Sequence, residues 1–143
     1  MHTNSIIRVL VVDDEPSIRL LVTRALEKKG FTVDSATDGV EALEKLSEQK
    51  YDLLVLDLMM PRLDGLGVIE QLGAAVQPPK ILVMTAASPA ILHQIPRERV
   101  AGIIHKPFDL STLLHCAQTV SGASEQGGER RDAPRPRKSR SRT

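Results

Sequence analysis

Two apolar runs in this chain each end in acid. Arg8-Val9-Leu10-Val11-Val12 leads straight into Asp13-Asp14-Glu15, and Leu53-Leu54-Val55-Leu56 leads straight into Asp57. Neither run alternates polar with apolar residues. Both therefore need burial on two faces, the setting of a parallel strand covered by helices on both sides of its sheet. Ligands of open α/β sheets lie outside the carboxyl ends of the strands. Two such strands side by side would bring three carboxylates, Asp13, Asp14 and Asp57, into one crevice. Like charges repel there, so the cluster wants a cation, and hard oxygen donors suit Mg²⁺.

The rest of the pattern agrees with a sheet of this kind. Strands are expected near residues 7–12, 31–35, 52–57, 80–85 and 102–105. Helical periodicity falls between them. The first helix is expected over 16–29, with Ile18, Leu21, Val22, Ala25 and Leu26 on one stripe, Pro16 in its first turn and Gly30 at its stop. The second is expected over 39–48, capped by Asp38, with Val40, Leu43 and Leu46 inward. A short third helix follows Asp64-Gly65 and uses Leu66, Ile69 and Leu72. A fourth, around Ser88–Ile95, is bracketed by Pro89 and Pro96 and carries the weakest signal. The fifth starts after Asp109, with Leu110, Leu113, Leu114 and Ala117. This is a (βα)₅ order: a doubly wound, five-stranded parallel sheet with right-handed crossovers and helices on both faces.

Composition narrows the function. The 143 residues have room for one domain. No apolar run reaches the roughly 18 residues of a membrane span, and no signal peptide is visible at Met1–Ser5. The single cysteine, Cys116, can form no intrachain disulfide and is expected to be a small core residue. A cytoplasmic location is expected. Aromatic residues make up only 2% of the chain, so the core is aliphatic and base stacking is not its business. His2, His93, His105 and His115 are dispersed without metal-ligand spacing. His105 precedes Lys106 in a strand, so its side chain should face away from the crevice, where it would be available to a partner.

Four short motifs carry a family resemblance. They are Val11-Val12-Asp13-Asp14-Glu15, Leu56-Asp57-Leu58-Met59-Met60-Pro61 with Asp64-Gly65, Met84-Thr85-Ala86, and Lys106-Pro107-Phe108. In order and spacing they resemble the receiver domain of bacterial two-component response regulators, over about residues 6–120. The resemblance implies the flavodoxin-like receiver fold of the stand-alone chemotaxis regulator, with residues 1–121 as the domain. It implies that Asp57 accepts a phosphoryl group from a sensor histidine kinase or a histidine phosphotransfer protein. It also implies that Asp14, Asp57 and the Met59 backbone carbonyl hold Mg²⁺, with Asp13 close by or acting through water. Lys106 and the Thr85 hydroxyl would contact phosphoryl oxygens, with backbone N–H groups near Met59 and Ala86 taking the rest. A carboxylate is a weak nucleophile toward an anionic phosphoryl group, so catalysis there must be mostly charge neutralisation and positioning. Taken singly, each residue has a plainer reading. An Asp at a strand end is often a turn residue or a helix cap, and Asp64 and Asp109 are read as caps. The four spacings together favour the phosphoacceptor.

Three departures from the family's common pattern bear on function. The positions two after the phosphoacceptor and two after the hydroxyl residue tune hydrolysis in this family. Here they are Met59 and Ala87, which cannot orient or activate water, so a long-lived acyl phosphate is expected. The switch position three before Lys106 is Ile103, which lacks a phenol but can still change its packing. The output surface implied is the face of the fourth helix, fifth strand and fifth helix, about Pro89–Val120, which in this family can also form a homodimer. Lastly, only about 22 residues follow the domain, too few for a folded module. Output by protein contact or onward phosphoryl transfer is expected, and no external substrate is turned over, so this is not an enzyme in the usual sense.

The charge is uneven. Residues 1–121 carry 12 Lys and Arg against 15 Asp and Glu, a balance of −3, while residues 122–143 carry 7 against 3, a balance of +4. Residues 122–143 read as a disordered basic Arg/Pro/Ser-rich tail. Without aromatics or amphipathic period it could contact nucleic acid only non-specifically, in a salt-sensitive way, or an acidic partner. Two other classes compete with the phosphoacceptor. One is a phosphorylation-independent, receiver-like interaction module, which a lost acidic pair or lysine would favour, and neither is lost. The other is a haloacid-dehalogenase-type phosphatase, which wants a second Asp where Met59 stands. A dinucleotide fold is disfavoured because the first βα turn, Asp13-Asp14-Glu15-Pro16, is no glycine-rich anion cradle.

Overall fold

The computed structural model describes residues 6–75 and 77–122. The tail expected at 122–143 lies outside the described residues apart from Gly122. Five strands, β1 (Arg8–Val12), β2 (Thr32–Ala36), β3 (Leu53–Leu56), β4 (Lys80–Thr85) and β5 (Gly102–His105), alternate with α1 (Pro16–Lys28), α2 (Gly39–Glu48), α3 (Gly65–Leu72), α4 (Pro89–Leu92) and α5 (Leu110–Ser121). The sheet is wholly parallel in the order β2-β1-β3-β4-β5.

The two faces of each central strand feed different halves of the core. Leu10 and Val12 of β1, Leu54 and Leu56 of β3, and Ile81 and Val83 of β4 pack with Ala42 of α2 and Val68, Ile69 and Leu72 of α3. Val9 and Val11, Leu53 and Val55, and Leu82 and Met84 face the other way, onto Val22 and Leu26 of α1 and Leu113 and Ala117 of α5. This two-sided burial is why the runs are apolar throughout. Removing such surface from water contributes roughly 2 kcal/mol per large aliphatic side chain.

The structure amends four details of the expected elements. Leu21 is 48% exposed and does not share the buried stripe of Val22, Ala25 and Leu26. In α2 the fully buried side chain is Ala42, and Val40 is half-buried, while Leu43 and Leu46 pack against the core as expected. The fourth helix is a single turn, Pro89–Leu92, continued by turn hydrogen bonds to Ile95 and followed by a 3₁₀ turn at Arg97–Arg99. Pro96 cannot extend a helix and forces this break. Cys116 is half-buried against the α1–α5 half of the core.

Candidate functional site

Strand register builds the site. Val12 of β1 lies opposite Leu56 of β3, so the next residues, Asp13 and Asp57, emerge side by side, and the Asp57 N–H donates to the Val12 carbonyl at 3.0 Å. On the far side of β4, Thr85 lies opposite His105, and the Lys106 N–H donates to the Thr85 carbonyl at 2.9 Å. Asp13, Asp57, Thr85 and Lys106 thus sit at four neighbouring strand ends along one edge of the sheet.

Carboxylate oxygens of Asp13, Asp14 and Asp57 lie within 4.8 Å of one another. Asp13, Asp57 and Thr85 are buried, whereas Asp14 is exposed. Lys106 Nζ bridges the buried pair, 2.8 Å from Asp13 Oδ2 and 3.2 Å from Asp57 Oδ2. Asp57 Oδ1 accepts the Met59 N–H at 3.1 Å. Burial is the largest influence on Asp57 and pushes its carboxyl above the usual carboxylate range, although the Met59 N–H and the Lys106 ammonium pull the other way. Burial alone would lower Lys106. The hydrogen bond to Asp13 and the two carboxylates outweigh it, so the ammonium is held above the ordinary lysine value. Thr85 Oγ1 accepts the Ala87 N–H at 3.0 Å, which leaves the hydroxyl proton available to an acceptor.

The donor set suits a hard divalent cation: three carboxylates, one of them open to solvent, with no soft or imidazole ligand in the cluster. The Met59 side chain is 55% exposed, and its backbone N–H is the group that meets Asp57. Ile103 is half-buried against the α2–α3 half of the core, and His105 beside it is exposed.

The loop from β3 to α3 closes tightly on the site. Gly65 N–H donates to the Leu58 carbonyl at 3.0 Å, and a Cβ on Gly65 would stand 2.6 Å from the Asp57 carbonyl oxygen, so only glycine permits the approach. Asp64 caps α3 through the Gly67 N–H at 3.0 Å, as expected. Asp109 occupies the capping position of α5, but its side chain makes no capping hydrogen bond, which corrects the expectation for that residue. Two contacts near the site were not read from sequence. Arg19 donates from Nη1 to the Asp13 carbonyl at 2.7 Å, and Arg62 forms a two-pronged ion pair with Asp38. The first has a sequence signal, an arginine one helical turn past Glu15. The second has none, because residues 62 and 38 meet only through the fold.

The receiver-domain profile of response regulators matches residues 9–118. The chain is 45% identical over 115 residues to the response regulator MprA of Mycobacterium ulcerans, an alignment covering 76% of this chain and 47% of that protein. It thus spans about half the length of the curated relatives it matches. Among solved structures, it resembles chemotaxis protein CheY4 of Vibrio cholerae (32% identity, 81% of this chain and 99% of that one, TM-score 0.73). It also resembles response regulator TrrA of Thermotoga maritima in complex with Mg²⁺-BeF (33% identity, 80% and 99%, TM-score 0.73). A parallel (βα)₅ sheet with acid, hydroxyl and lysine at successive strand ends is the receiver architecture, and this chain belongs to the response regulator receiver domain family. Among the described residues, no helix is long and apolar enough to cross a membrane.

Proposed function

We propose that this receiver domain takes a phosphoryl group onto Asp57 from a phosphohistidine of a sensor histidine kinase or histidine phosphotransfer protein, in a Mg²⁺-dependent step in the cytoplasm. The observation that carries this reading is the buried Asp57 carboxylate, which meets Asp13, Asp14 and the Lys106 ammonium at one sheet edge. Asp14, Asp57 and the Met59 carbonyl would hold the cation, with Asp13 beside them. When bound, Mg²⁺ supplies positive charge against the phosphoryl oxygens.

The chain's own groups do the rest. An Asp57 oxygen bonds to phosphorus while the phosphorus–nitrogen bond of the donor breaks, and the electron pair stays on the imidazole. The Met59 N–H already holds Asp57 Oδ1, which orients the carboxylate. Lys106 then exchanges its bond to Asp57 Oδ2 for one to a phosphoryl oxygen while keeping Asp13, so its charge never stands unpaired. Thr85 donates its hydroxyl proton to another phosphoryl oxygen. That movement draws on the packing of Ile103 and changes the face of α4, β5 and α5, through which a downstream protein or a second copy reads the state. Onward transfer to another histidine protein is the alternative output. No external substrate is turned over.

Incubation with acetyl phosphate and Mg²⁺, followed by intact-mass measurement, tests the reading. One phosphoryl group should be gained by the parent protein and none by Asp57→Ala. A parent protein that gains nothing supports the phosphorylation-independent interaction module instead.

A further inference from the structure

The loop that carries Met59 is fastened to the start of α2 as well as to α3. Arg62 Nε donates to Asp38 Oδ2 at 2.8 Å and Nη2 to Asp38 Oδ1 at 3.0 Å, the two-pronged geometry that makes such pairs strong and directional. Asp38 is itself fixed, because Oδ1 also accepts the Glu41 N–H at 2.9 Å as the cap of α2. One residue along each segment, the Gly39 N–H donates to the Leu63 carbonyl at 3.1 Å, and any Cβ on Gly39 would overlap that carbonyl. Arg62 adopts a left-handed conformation, φ 66°, that a non-glycine residue rarely takes. The Arg62 side chain is 59% exposed, so hydrophobic burial does not hold it there. The side chain is held there by its ion pair with Asp38.

We propose that Arg62 is a positioning residue for the cation site: its clasp on Asp38 fixes the β3–α3 loop, so that the Met59 carbonyl stands ready beside Asp57 before any cation arrives. The inference rests on the reading of Asp57 and Met59 as cation ligands. It makes the start of α2 part of the machinery that sets divalent-cation affinity, although no α2 residue touches the acidic cluster. Pre-fastening the loop avoids the ordering cost that a loose loop incurs on binding.

Two variants break the clasp while sparing the local structure. Arg62→Gly accepts the left-handed backbone without strain and removes the whole side chain that makes the clasp. Asp38→Asn keeps a good helix cap and removes only the charge. Mg²⁺ affinity by calorimetry should weaken about fivefold in either variant and no further in the double variant, since both changes remove one interaction. Arg62→Lys should recover part of the loss, because an ammonium keeps the charge without the fork. Hydrogen–deuterium exchange of the metal-free protein should rise across residues 58–65 in each variant, while the thermal midpoint stays within a few degrees of the parent's. Unchanged exchange over that loop, additive losses in the double variant, or a lowered midpoint with unaltered Mg²⁺ affinity would each overturn the proposal. A parent protein that binds no Mg²⁺ would instead sink the reading of the site, and exchange alone would then decide whether Arg62 fastens the loop.

Discussion

Met59 and Ala87, two residues after Asp57 and two after Thr85, carry no side-chain group that could orient or activate a water. Met59 projects into solvent and offers only a thioether. Ala87 offers a methyl, and its backbone N–H is committed to Thr85 Oγ1. A phosphoryl group on Asp57 should therefore persist in the absence of a phosphatase. The paired replacement Met59→Asn with Ala87→Glu supplies an amide and a carboxylate able to orient and polarise a water, and should speed loss of the acyl phosphate at least about tenfold. Decay followed by intact mass after donor removal measures this, and an unchanged or slower decay would refute it. At this scale the sequence was legible where chemistry sits at a strand end. Asp13 and Asp57 could be placed because each follows a run whose direction is fixed by burial, whereas Thr85 and Lys106 were placed by the family resemblance. Leu21 could not be placed, because an apolar residue at helical spacing carries no mark of how wide the buried stripe is. The Asp109 cap failed for a similar reason: residue type and position permit a capping bond without enforcing it. The Arg62–Asp38 clasp depends on the path of a loop and has no local signature.

At the scale of the element, the start of α2 collects more acid chemistry than its sequence advertises. The Arg62 guanidinium, followed by the Glu41 N–H, holds the Asp38 carboxyl below its ordinary range. The Thr37 N–H and then its hydroxyl do the same for Glu41, with bonds of 2.8 Å to Oε1. Both groups are stronger acids folded than unfolded, so in acid the unfolded chain binds more protons. Their stabilising contribution is complete above the unfolded carboxylate range and is lost as pH falls through the folded values. Asp38→Asn should therefore lower stability slightly at neutral pH and flatten the acid loss below about pH 5. Denaturant midpoints measured across that window check both parts, and a variant with the parent's acid slope would assign the slope to other carboxylates. The strands and long helices lie within a residue or two of their expected bounds, because two-sided burial and the 3.6-residue period are both written in apolar spacing. The fourth helix was not legible to that degree. Between Pro89 and Pro96 the bonding passes from i→i−4 at Leu92 and His93 to i→i−3 at Gln94 and Ile95, so the helix lasts one turn, with Ile91, Leu92 and Ile95 packed on the core.

For the whole molecule, the acidic cluster exists only when the sheet does. Asp13 and Asp57 are 44 positions apart in sequence and meet because β1 and β3 are neighbours in register, an arrangement the unfolded chain does not have. A cation that needs both carboxylates binds the folded state alone, so its binding free energy adds to folding stability. Mg²⁺ at about 100 times its dissociation constant should add about 2.7 kcal/mol, or raise the thermal midpoint by roughly 10 °C for a domain of this size. Asp14 makes this test clean. Its side chain is exposed and joins the cluster from the solvent side, so Asp14→Ala should leave the metal-free midpoint almost where it was while removing most of the Mg²⁺ increment. Sodium chloride at matched ionic strength should shift neither protein, which separates site binding from general screening of the domain's negative charge. If Asp14→Ala gained as much from Mg²⁺ as the parent, the cation would be stabilising the fold from elsewhere, and the three-carboxylate crevice would not be its site.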